Sequence, residues 1–343
     1  MSWVGTMPLY INYPSFIHPE VFPGVPFLSL IRWYGLMYIF AFLTAWLVLK
    51  RLLKENFFNS KSLKSEKITE DDVLSFLFTG IVFLLIGARL GSALIYESSG
   101  IFRQKPWLIF WPFDESGKFT GLAGMSYHGG FIGGLIGMIV WCCIKKKRIF
   151  QWIDAMVIAI PCGYTFGRLG NFLNGELYGR ITKMPWGMVF PYAEKFPANE
   201  KWVQDFCSDI SMNIEGLTFV NLPRHPSQLY EAFFEGIVLF LVLWFLRKHK
   251  KWDGLLSSIY MGGYGLVRFF IEYFRQPDVE LGFRNSSDSQ IYLNNSIFNL
   301  STGQILCLLM IIGSVGIAVG TFFYYKRKDL VLEAKSFPNR KKS

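Results

Sequence analysis

Long apolar runs separated by short basic clusters dominate the pattern of this sequence. Seven runs are long enough, or nearly so, to cross the hydrocarbon core of a bilayer as a helix, which takes about 20 residues. They occupy residues 27–49, 73–96, 125–144, 153–172, 229–246, 255–274 and 305–325. The pattern predicts an all-α polytopic membrane protein with seven transmembrane helices.

The basic residues are distributed unevenly among the loops that join these runs. If the loops alternate between two sides, 21 of the 35 lysines and arginines fall on one side, in segments that begin at Lys50, Lys145, Arg247 and Lys326. The longer loops of the other side hold ten, and four arginines lie inside the runs. Because cytoplasmic loops carry the excess of Lys and Arg, we expect a periplasmic N-terminus and a cytoplasmic C-terminus.

Composition agrees with a membrane protein and disfavours other classes. Hydrophobic side chains make up 52% of the 343 residues and charged side chains 17%, compared with roughly 25% charged residues in an average soluble domain. The net charge of +10 reflects the loop residues, so it indicates topology and no nucleic-acid partner. The five cysteines form no C-x-x-C pair or grouping with histidine, so the sequence supports neither a zinc site nor a disulfide framework. No metal or other cofactor is expected.

The domain organisation follows from the distribution of the loops. We expect a single membrane domain over residues 1–343, because no internal repeat or low-complexity linker divides the chain. Residues 173–228 form the longest outer loop and contain several aromatic residues among prolines and charges. This loop is predicted to form a periplasmic cap within the membrane domain.

Four arginines interrupt the predicted helices: Arg32, Arg89, Arg168 and Arg268. An arginine at a helix centre costs roughly 2.5–3.5 kcal/mol on insertion scales, so it usually has a function or a partner. At about 1.5 Å per residue, all four lie roughly 6–10 Å below the outer boundary. For any one of them, snorkelling or pairing with a nearby glutamate is the alternative. Four guanidinium groups at one depth favour a phosphate, and a phospholipid headgroup is the phosphate most available there.

Other polar groups accumulate at the same level. Arg268 and Glu272 are four residues apart and share a helix face. His128 begins the third run, where Gly129, Gly133 and Gly137 predict close helix packing. Neutral imidazole is a capable general base, which favours a catalytic role for His128 over a structural one. The remaining members of this polar group are Asn171, Glu176, His225 and Glu231.

Five segments, in order, resemble the motifs of prolipoprotein diacylglyceryl transferases, which are bacterial inner-membrane enzymes. The most specific is Gly167-Arg-Leu-Gly-Asn-Phe-Leu-Asn-Gly-Glu-Leu-Tyr-Gly179. The others are residues 31–38, 127–130, 224–231 and 264–278. The resemblance covers essentially the whole membrane region. It implies transfer of the diacylglyceryl group of phosphatidylglycerol to the lipobox cysteine in the signal peptide of a prolipoprotein, which forms a thioether and releases glycerol phosphate.

Site residues carry over from these motifs by position. The resemblance implies His128, Arg268 and Glu272 as catalytic residues. It implies that the phospholipid is bound by Arg168, Arg268, Asn171, Glu176 and Tyr34. Supporting positions in the same motifs are Gly179, His225, Glu231 and Arg275.

Three questions stay open at this point. Either His128 or a carboxylate such as Glu176 could accept the thiol proton. A phospholipid or anion transporter could use the same arginines, although transporter sites typically lie at the membrane midplane between repeats. Compared with the family that the motifs resemble, the chain has additional length at residues 54–70, 194–217 and 279–300, and the sequence assigns no role to these segments.

Overall fold

The fold is mostly helical in a computed structural model that describes residues 9–25, 28, 31–58, 68–96, 100–113, 117, 124–276 and 298–336. The main helices are α1 (Trp33–Lys54), α2 (Glu70–Gly91), α3 (Tyr127–Ile144), α4 (Ile149–Leu173), α5 (Lys201–Asp209), α6 (Ser227–His249), α7 (Leu255–Ile271) and α8 (Thr302–Ser336). Four two-residue strands are β1 (Ile11–Asn12), β2 (Met188–Val189), β3 (Phe196–Pro197) and β4 (Phe219–Val220). Strand β1 pairs in parallel with β2, and β3 pairs antiparallel with β4.

Six of these helices are long and apolar enough to cross a membrane. They are α1, α2 with its extension to Ile95, α3, α4, α6, and α8 as far as Arg327. Helix α7 is apolar but has 17 residues, which is about 26 Å of helix against a hydrocarbon core of about 30 Å. The helical architecture therefore agrees with an all-α polytopic membrane protein, and a seventh crossing stays a prediction.

The ends of the helices differ from the ends of the apolar runs. Helix α1 begins at Trp33, so Arg32 precedes the helix and its backbone forms an antiparallel bridge with Glu20. The expectation that Arg32 lies inside a helix was therefore wrong. Helix α8 continues past Tyr325 to Ser336, because the polar residues beyond the apolar run are good helix formers. Hydropathy marks the apolar part of a helix and not its ends.

The described chain divides into two compact units. The first unit comprises Met1–Ala45 with Val157–Ser343, and the second unit comprises Trp46–Met156. The boundaries fall within α1 and α4, so each of these helices contributes residues to both units. That the whole chain acts as one membrane domain stays a prediction.

Helices α2 and α3 of the second unit pack so closely that their contact requires glycine. A Cβ atom on Gly133 would lie 2.3 Å from the carbonyl oxygen of Phe83 and 2.9 Å from the Cα atom of Gly87. A Cβ atom on Gly129 would lie 2.3 Å from the carbonyl oxygen of Gly87. Small residues allow membrane helices to approach until their backbones touch. The close packing predicted from the glycine spacing is confirmed.

Residues between α4 and α6 build a small structure within the first unit. Helix α5 is amphipathic, and its buried face contains Val203, Phe206 and Cys207. The buried apolar cluster comprises Ile181, Phe196, Ala198, Val203, Phe206, Cys207, Ile210, Val220 and Leu222. Residues 194–217, to which the sequence assigned no role, contribute much of this cluster. Of the other two additional segments, residues 59–67 and 279–297 lie outside the described residues.

Replacement of Gly133 tests the helix contact. Gly133→Ala should lower the free energy of unfolding by about 1–3 kcal/mol, the usual cost of overpacking, because the new methyl group meets backbone atoms. Gly134→Ala is the matched control, since its Cβ atom would lie 3.6 Å from the Cβ atom of Leu84, an ordinary contact. Thermal unfolding of the purified variants in detergent measures both. Equal midpoints for the two variants would contradict the close packing.

Candidate functional site

Three arginines surround Glu231, a residue of α6 that has no exposed surface. Its Oε2 atom lies 2.9 Å from Nε of Arg168 and 2.8 Å from Nη1 of Arg268. Its Oε1 atom lies 3.6 Å from Nε of Arg275. Burial of a carboxylate costs several kcal/mol unless opposite charges compensate it. Glu231 therefore joins α4, α6, α7 and the residues that follow α7.

Two further carboxylates complete this group. Glu235, 1% exposed, lies one turn after Glu231, and its Oε1 atom is 3.5 Å from Nη1 of Arg268. Glu272 directly follows α7, and its Oε2 atom is 3.3 Å from Nε of Arg268 and 3.9 Å from Nη1 of Arg275. We call Arg168, Arg268, Arg275, Glu231, Glu235 and Glu272 the arginine–glutamate cluster. Its formal charges balance.

Tyr164 connects α4 to two of the glutamates. Its hydroxyl accepts a hydrogen bond from Nε of Arg168 at 2.8 Å, and it donates toward Glu231 at 3.1 Å and toward Glu235. Sequence reasoning missed both Tyr164 and Glu235. Glu235 was detectable by the rule applied to the arginines, since an acidic residue in an apolar run is also costly. The only signal for Tyr164 was its spacing of four residues from Arg168.

The three arginines retain hydrogen-bond donors that the cluster does not use. Arg168 is held through Nε, whereas Arg268 and Arg275 are held through Nε and Nη1. Within the described part of the chain, Nη2 of each arginine and Nη1 of Arg168 contact no acceptor. A guanidinium group presents five N–H donors in a fixed fork. Each arginine is therefore held through part of its guanidinium group, and the Nη2 hydrogens of all three, with those of Nη1 of Arg168, can be offered to a ligand.

Asn171 and Glu176 form a separate polar pair at the end of α4. Nδ2 of Asn171 donates to Oε1 of Glu176 at 2.9 Å, and the backbone N–H of Glu176 donates to the carbonyl of Asn171 at 3.1 Å. Gln228 donates to the carbonyl of Glu176 at 2.6 Å. The Glu176 side chain is exposed. Arg168 and Asn171, which lie three residues apart on α4, thus contact different partners.

Tyr34 lies on α1 beside the same helix. A Cβ atom on Gly170 would be 3.2 Å from Cδ2 of Tyr34, so the ring packs over the glycine. The Tyr34 hydroxyl is 3.3 Å from that of Tyr38, and 36% of the surface of residue Tyr34 is exposed. Tyr34 is therefore accessible to a ligand and positioned against α4.

Gly179 holds together two segments that carry site residues. Its N–H donates to the carbonyl of His225 at 2.8 Å, and it forms an antiparallel bridge with Arg275. A Cβ atom at Gly179 would lie 2.2 Å from the carbonyl oxygen of Phe274. Arg180 donates to the carbonyls of Arg275 at 2.6 Å and of Glu272 at 3.3 Å. The Gly179–Arg180 segment thereby fixes the backbone that carries two members of the cluster.

His225 is enclosed by aromatic rings rather than by cluster residues. Its Nδ1 atom lies 3.2 Å from the hydroxyl of Tyr230, and its ring contacts those of Tyr230 and Phe274 edge-on. Burial, assisted by the positive charge of Arg180, lowers the pKa of His225 to about 4. The imidazole is therefore neutral at pH 7, which suits a packing and hydrogen-bonding role.

Two predicted residues, His128 and Arg89, belong to the second unit. His128 is exposed in the first turn of α3, where Ser126 caps the helix by accepting from the N–H of Gly129 at 3.1 Å. Arg89 is buried and donates to the carbonyls of Ile109 and Gly124. Among the described residues, no group of three or more His, Cys, Asp or Glu could hold a metal.

Comparison with known proteins identifies the family. A family model described as prolipoprotein diacylglyceryl transferase matches residues 25–320. A phosphatidylglycerol–prolipoprotein diacylglyceryl transferase from Treponema pallidum is 48% identical over 334 residues, which is 95% of this chain and 99% of that protein. The Treponema denticola protein of that name is 49% identical over 335 residues, 94% and 97% of the two chains. The Chlorobaculum tepidum protein is 39% identical over 329 residues, 94% and 96%.

This chain belongs to the prolipoprotein diacylglyceryl transferase family. The resemblance inferred from the five motifs is therefore confirmed. The matched range includes every predicted site residue, from Tyr34 to Arg275, and also Tyr164 and Glu235. The individual roles of these residues in a prolipoprotein diacylglyceryl transferase stay predictions.

Gly179→Ala should loosen the backbone contact that positions Arg275. The added methyl group would clash with the carbonyl of Phe274, so the hydrogen bonds between the two segments must lengthen or break. Hydrogen exchange followed by mass spectrometry should show faster exchange in peptides that cover residues 271–276. Gly316→Ala is the control, since its Cβ atom would meet nothing within 4 Å. Unchanged exchange in Gly179→Ala would show that this contact does not hold the segment.

Proposed function

We propose that this protein transfers the diacylglyceryl group of phosphatidylglycerol to the lipobox cysteine of a prolipoprotein, as the names of its relatives describe. The products are a thioether and glycerol phosphate. The observation that carries the proposal is the buried arginine–glutamate cluster, in which three arginines are oriented by carboxylates and retain unused donors. Such donors suit a phosphodiester, whose oxygens accept paired hydrogen bonds from guanidinium groups.

The cluster can assist the departure of phosphate. In the proposed reaction the cysteine sulfur attacks the glyceryl carbon that is bonded to a phosphate oxygen. The S–C bond forms, the C–O bond breaks, and the electron pair leaves with the phosphate of glycerol phosphate. Arg168 and Arg268 would stabilise the negative charge that accumulates there, and fixed donors in a site of low dielectric do this most effectively.

The acceptor thiol requires a base, since a thiol with a pKa of about 8.5 is mostly protonated at neutral pH. We assign this role to His128, which is exposed in the first turn of α3. The alternatives are Glu176 and Glu272. Both carboxylates already accept hydrogen bonds from protein donors, Glu176 from Asn171 and Glu272 from Ser301. A neutral imidazole is an effective general base near pH 7, which favours His128.

The proposed setting is the bacterial inner membrane. Seven crossings, with α7 as the short one, would give a periplasmic N-terminus and a cytoplasmic C-terminus, and the excess of basic residues in alternate loops supports this orientation. Residues 173–228 would then form a cap on the periplasmic side, from which the signal peptide of the prolipoprotein arrives. Phosphatidylglycerol and other membrane lipids are the remaining partners, and the proposal involves neither nucleic acid nor cofactor.

Arg168→Gln and Arg268→Gln test the phosphate assignment. Each variant should bind phosphatidylglycerol about tenfold to hundredfold more weakly, because a hydrogen bond to a charged group contributes about 1.5–3 kcal/mol. Turnover should fall at least as much. Equilibrium binding in mixed micelles and thioether formation on a lipobox peptide measure the two effects. Arg51→Gln is the matched control, since Arg51 is exposed and pairs only with Glu55 among the described residues. Unchanged lipid affinity in both variants would remove the assignment.

His128→Asn tests the proposed base. The variant should retain phosphatidylglycerol binding and lose turnover at pH 7, because only the thiol needs a proton acceptor. Part of the lost rate should return as the pH rises toward the pKa of the thiol, since solvent then supplies the thiolate. The measurement is the rate of thioether formation between pH 7 and pH 9. Loss of lipid binding, or near-normal turnover at pH 7, would make Glu176 or Glu272 the better candidate.

A further inference from the structure

Glu235 is a buried carboxylate within the apolar part of α6, and the proposed reaction leaves it without a role. Its side chain has no measurable exposure, and its two oxygens face different partners. Oε1 lies 3.5 Å from Nη1 of Arg268, and Oε2 is hydrogen-bonded to the hydroxyl of Tyr164. The same Arg268 nitrogen also contacts Glu231 at 2.8 Å. Glu235 therefore supplies a second negative charge to an arginine that already has a buried partner.

A π-helical turn places Glu235 in this position. Residues Ala232–Val238 of α6 are π-helical, which leaves backbone carbonyls available, and Oγ1 of Thr165 lies 3.3 Å from the carbonyl of Ala232. A Cβ atom on Gly236 would lie 2.0 Å from the same Thr165 oxygen, so α6 and α4 touch here. The wide turn and close contact bring Glu231 and Glu235 to the same side of α6, facing Tyr164 of α4.

The hydrogen atoms available in the cluster suit an ionised Glu235. Arg168 donates through Nε to Tyr164 and Glu231, which leaves the Tyr164 hydroxyl hydrogen for Glu235. Nη1 of Arg268 carries two hydrogens and faces both Glu231 and Glu235. The carboxylate oxygens of Glu231 and Glu235 that face these donors thus accept hydrogen bonds while both side chains are ionised. Three arginines then face three carboxylates, with Arg180 as a further cation whose Nη2 donates to the Glu272 carbonyl, and loss of the Glu235 charge would raise the net charge of this group by one.

The net charge of the cluster matters because the proposed substrate and product differ in charge. The phosphodiester of phosphatidylglycerol carries one negative charge. Glycerol phosphate is a phosphate monoester and carries about −1.5 to −2 at pH 7, since its second pKa is about 6. A site with excess positive charge would bind the product more tightly than the substrate and release it slowly. A balanced cluster reduces that preference.

We propose that Glu235 sets the charge of the arginine–glutamate cluster so that the glycerol phosphate product is released. The inference rests on the proposed function, because it requires the arginines to bind the phosphate. Glu235 acts through Arg268 and Arg168 and does not itself touch the phosphate, so it is a positioning residue. Loss of the Glu235 charge should strengthen the binding of an anionic ligand, whereas structural damage to the site should weaken that binding.

The test is product inhibition in Glu235→Gln. The inhibition constant of glycerol phosphate at pH 7.5 should fall at least about fourfold. This is a lower bound, because one unit charge has that effect even ~20 Å away at an effective dielectric constant of about 20, and Glu235 contacts an arginine of the proposed phosphate site. The KM for phosphatidylglycerol should fall less, and kcat should decrease because product release slows. Glu235→Asp keeps the charge and should restore the inhibition constant of the wild type. An unchanged or increased inhibition constant in Glu235→Gln would overturn the proposal.

Two controls separate this outcome from other failures. Glu215→Gln removes one negative charge from an exposed loop and should leave the inhibition constant unchanged. If Arg168→Gln and Arg268→Gln keep full lipid affinity, the phosphate assignment itself fails. If those variants lose affinity while Glu235→Gln leaves product inhibition unchanged, only the role of Glu235 fails.

Wild-type protein provides a second measurement if Glu235→Gln does not fold. Glycerol phosphate and its methyl ester have nearly the same shape, but the ester carries a single negative charge. If the carboxylates offset the positive charge at the phosphate position, the protein should bind the two within about tenfold of each other. A preference for the doubly charged ligand greater than about tenfold would overturn the proposal, since it would indicate an excess of positive charge.

Discussion

The burial of Glu231 is the constraint on which the first unit depends. A carboxylate with no exposed surface is stable only when donors and opposite charges replace the water that it has lost. Arginines of α4 and α7, and Arg275 after α7, meet that requirement. None of these segments can move away without leaving a buried charge unpaired. The ion pairs therefore determine which helices meet and at what depth along each helix.

The same pairs prepare the arginines for a ligand. A guanidinium group free in solution must lose side-chain entropy before it can bind a phosphate, whereas a group already held by ion pairs has lost it during folding. Arg89 of the second unit is also buried, and it donates to the backbone carbonyls of Ile109 and Gly124. A backbone carbonyl can thus anchor a buried guanidinium group as a carboxylate does.

Much of the fold could be predicted from hydropathy, because the membrane requires long apolar helices and the runs are unmistakable. The helix ends could not, since α1 and α8 begin or end in residues whose hydropathy carries no signal. In the site, the contact between Arg268 and Glu272 follows from their spacing of four residues across the last turn of α7. The contacts of Glu231 with Arg168 and Arg275 depend on how separate helices pack, which local periodicity does not contain.

The π-helical turn of α6 also determines how this segment can vary in length. Each residue of an α-helix advances the chain by about 100° around the helix axis. A π-helical turn holds one residue more than an α-helical turn, so deletion of one residue between Ala232 and Val238 can convert the wide turn into regular helix while Glu231 keeps nearly the same orientation relative to Leu239. Deletion of one residue between Leu239 and Leu246 has no such reserve, because this part is already α-helical, and it would rotate the segments on its two sides by about 100° relative to each other. The segment that carries the two glutamates can therefore lose a residue within the π-helical turn at a lower cost than in the helix that follows.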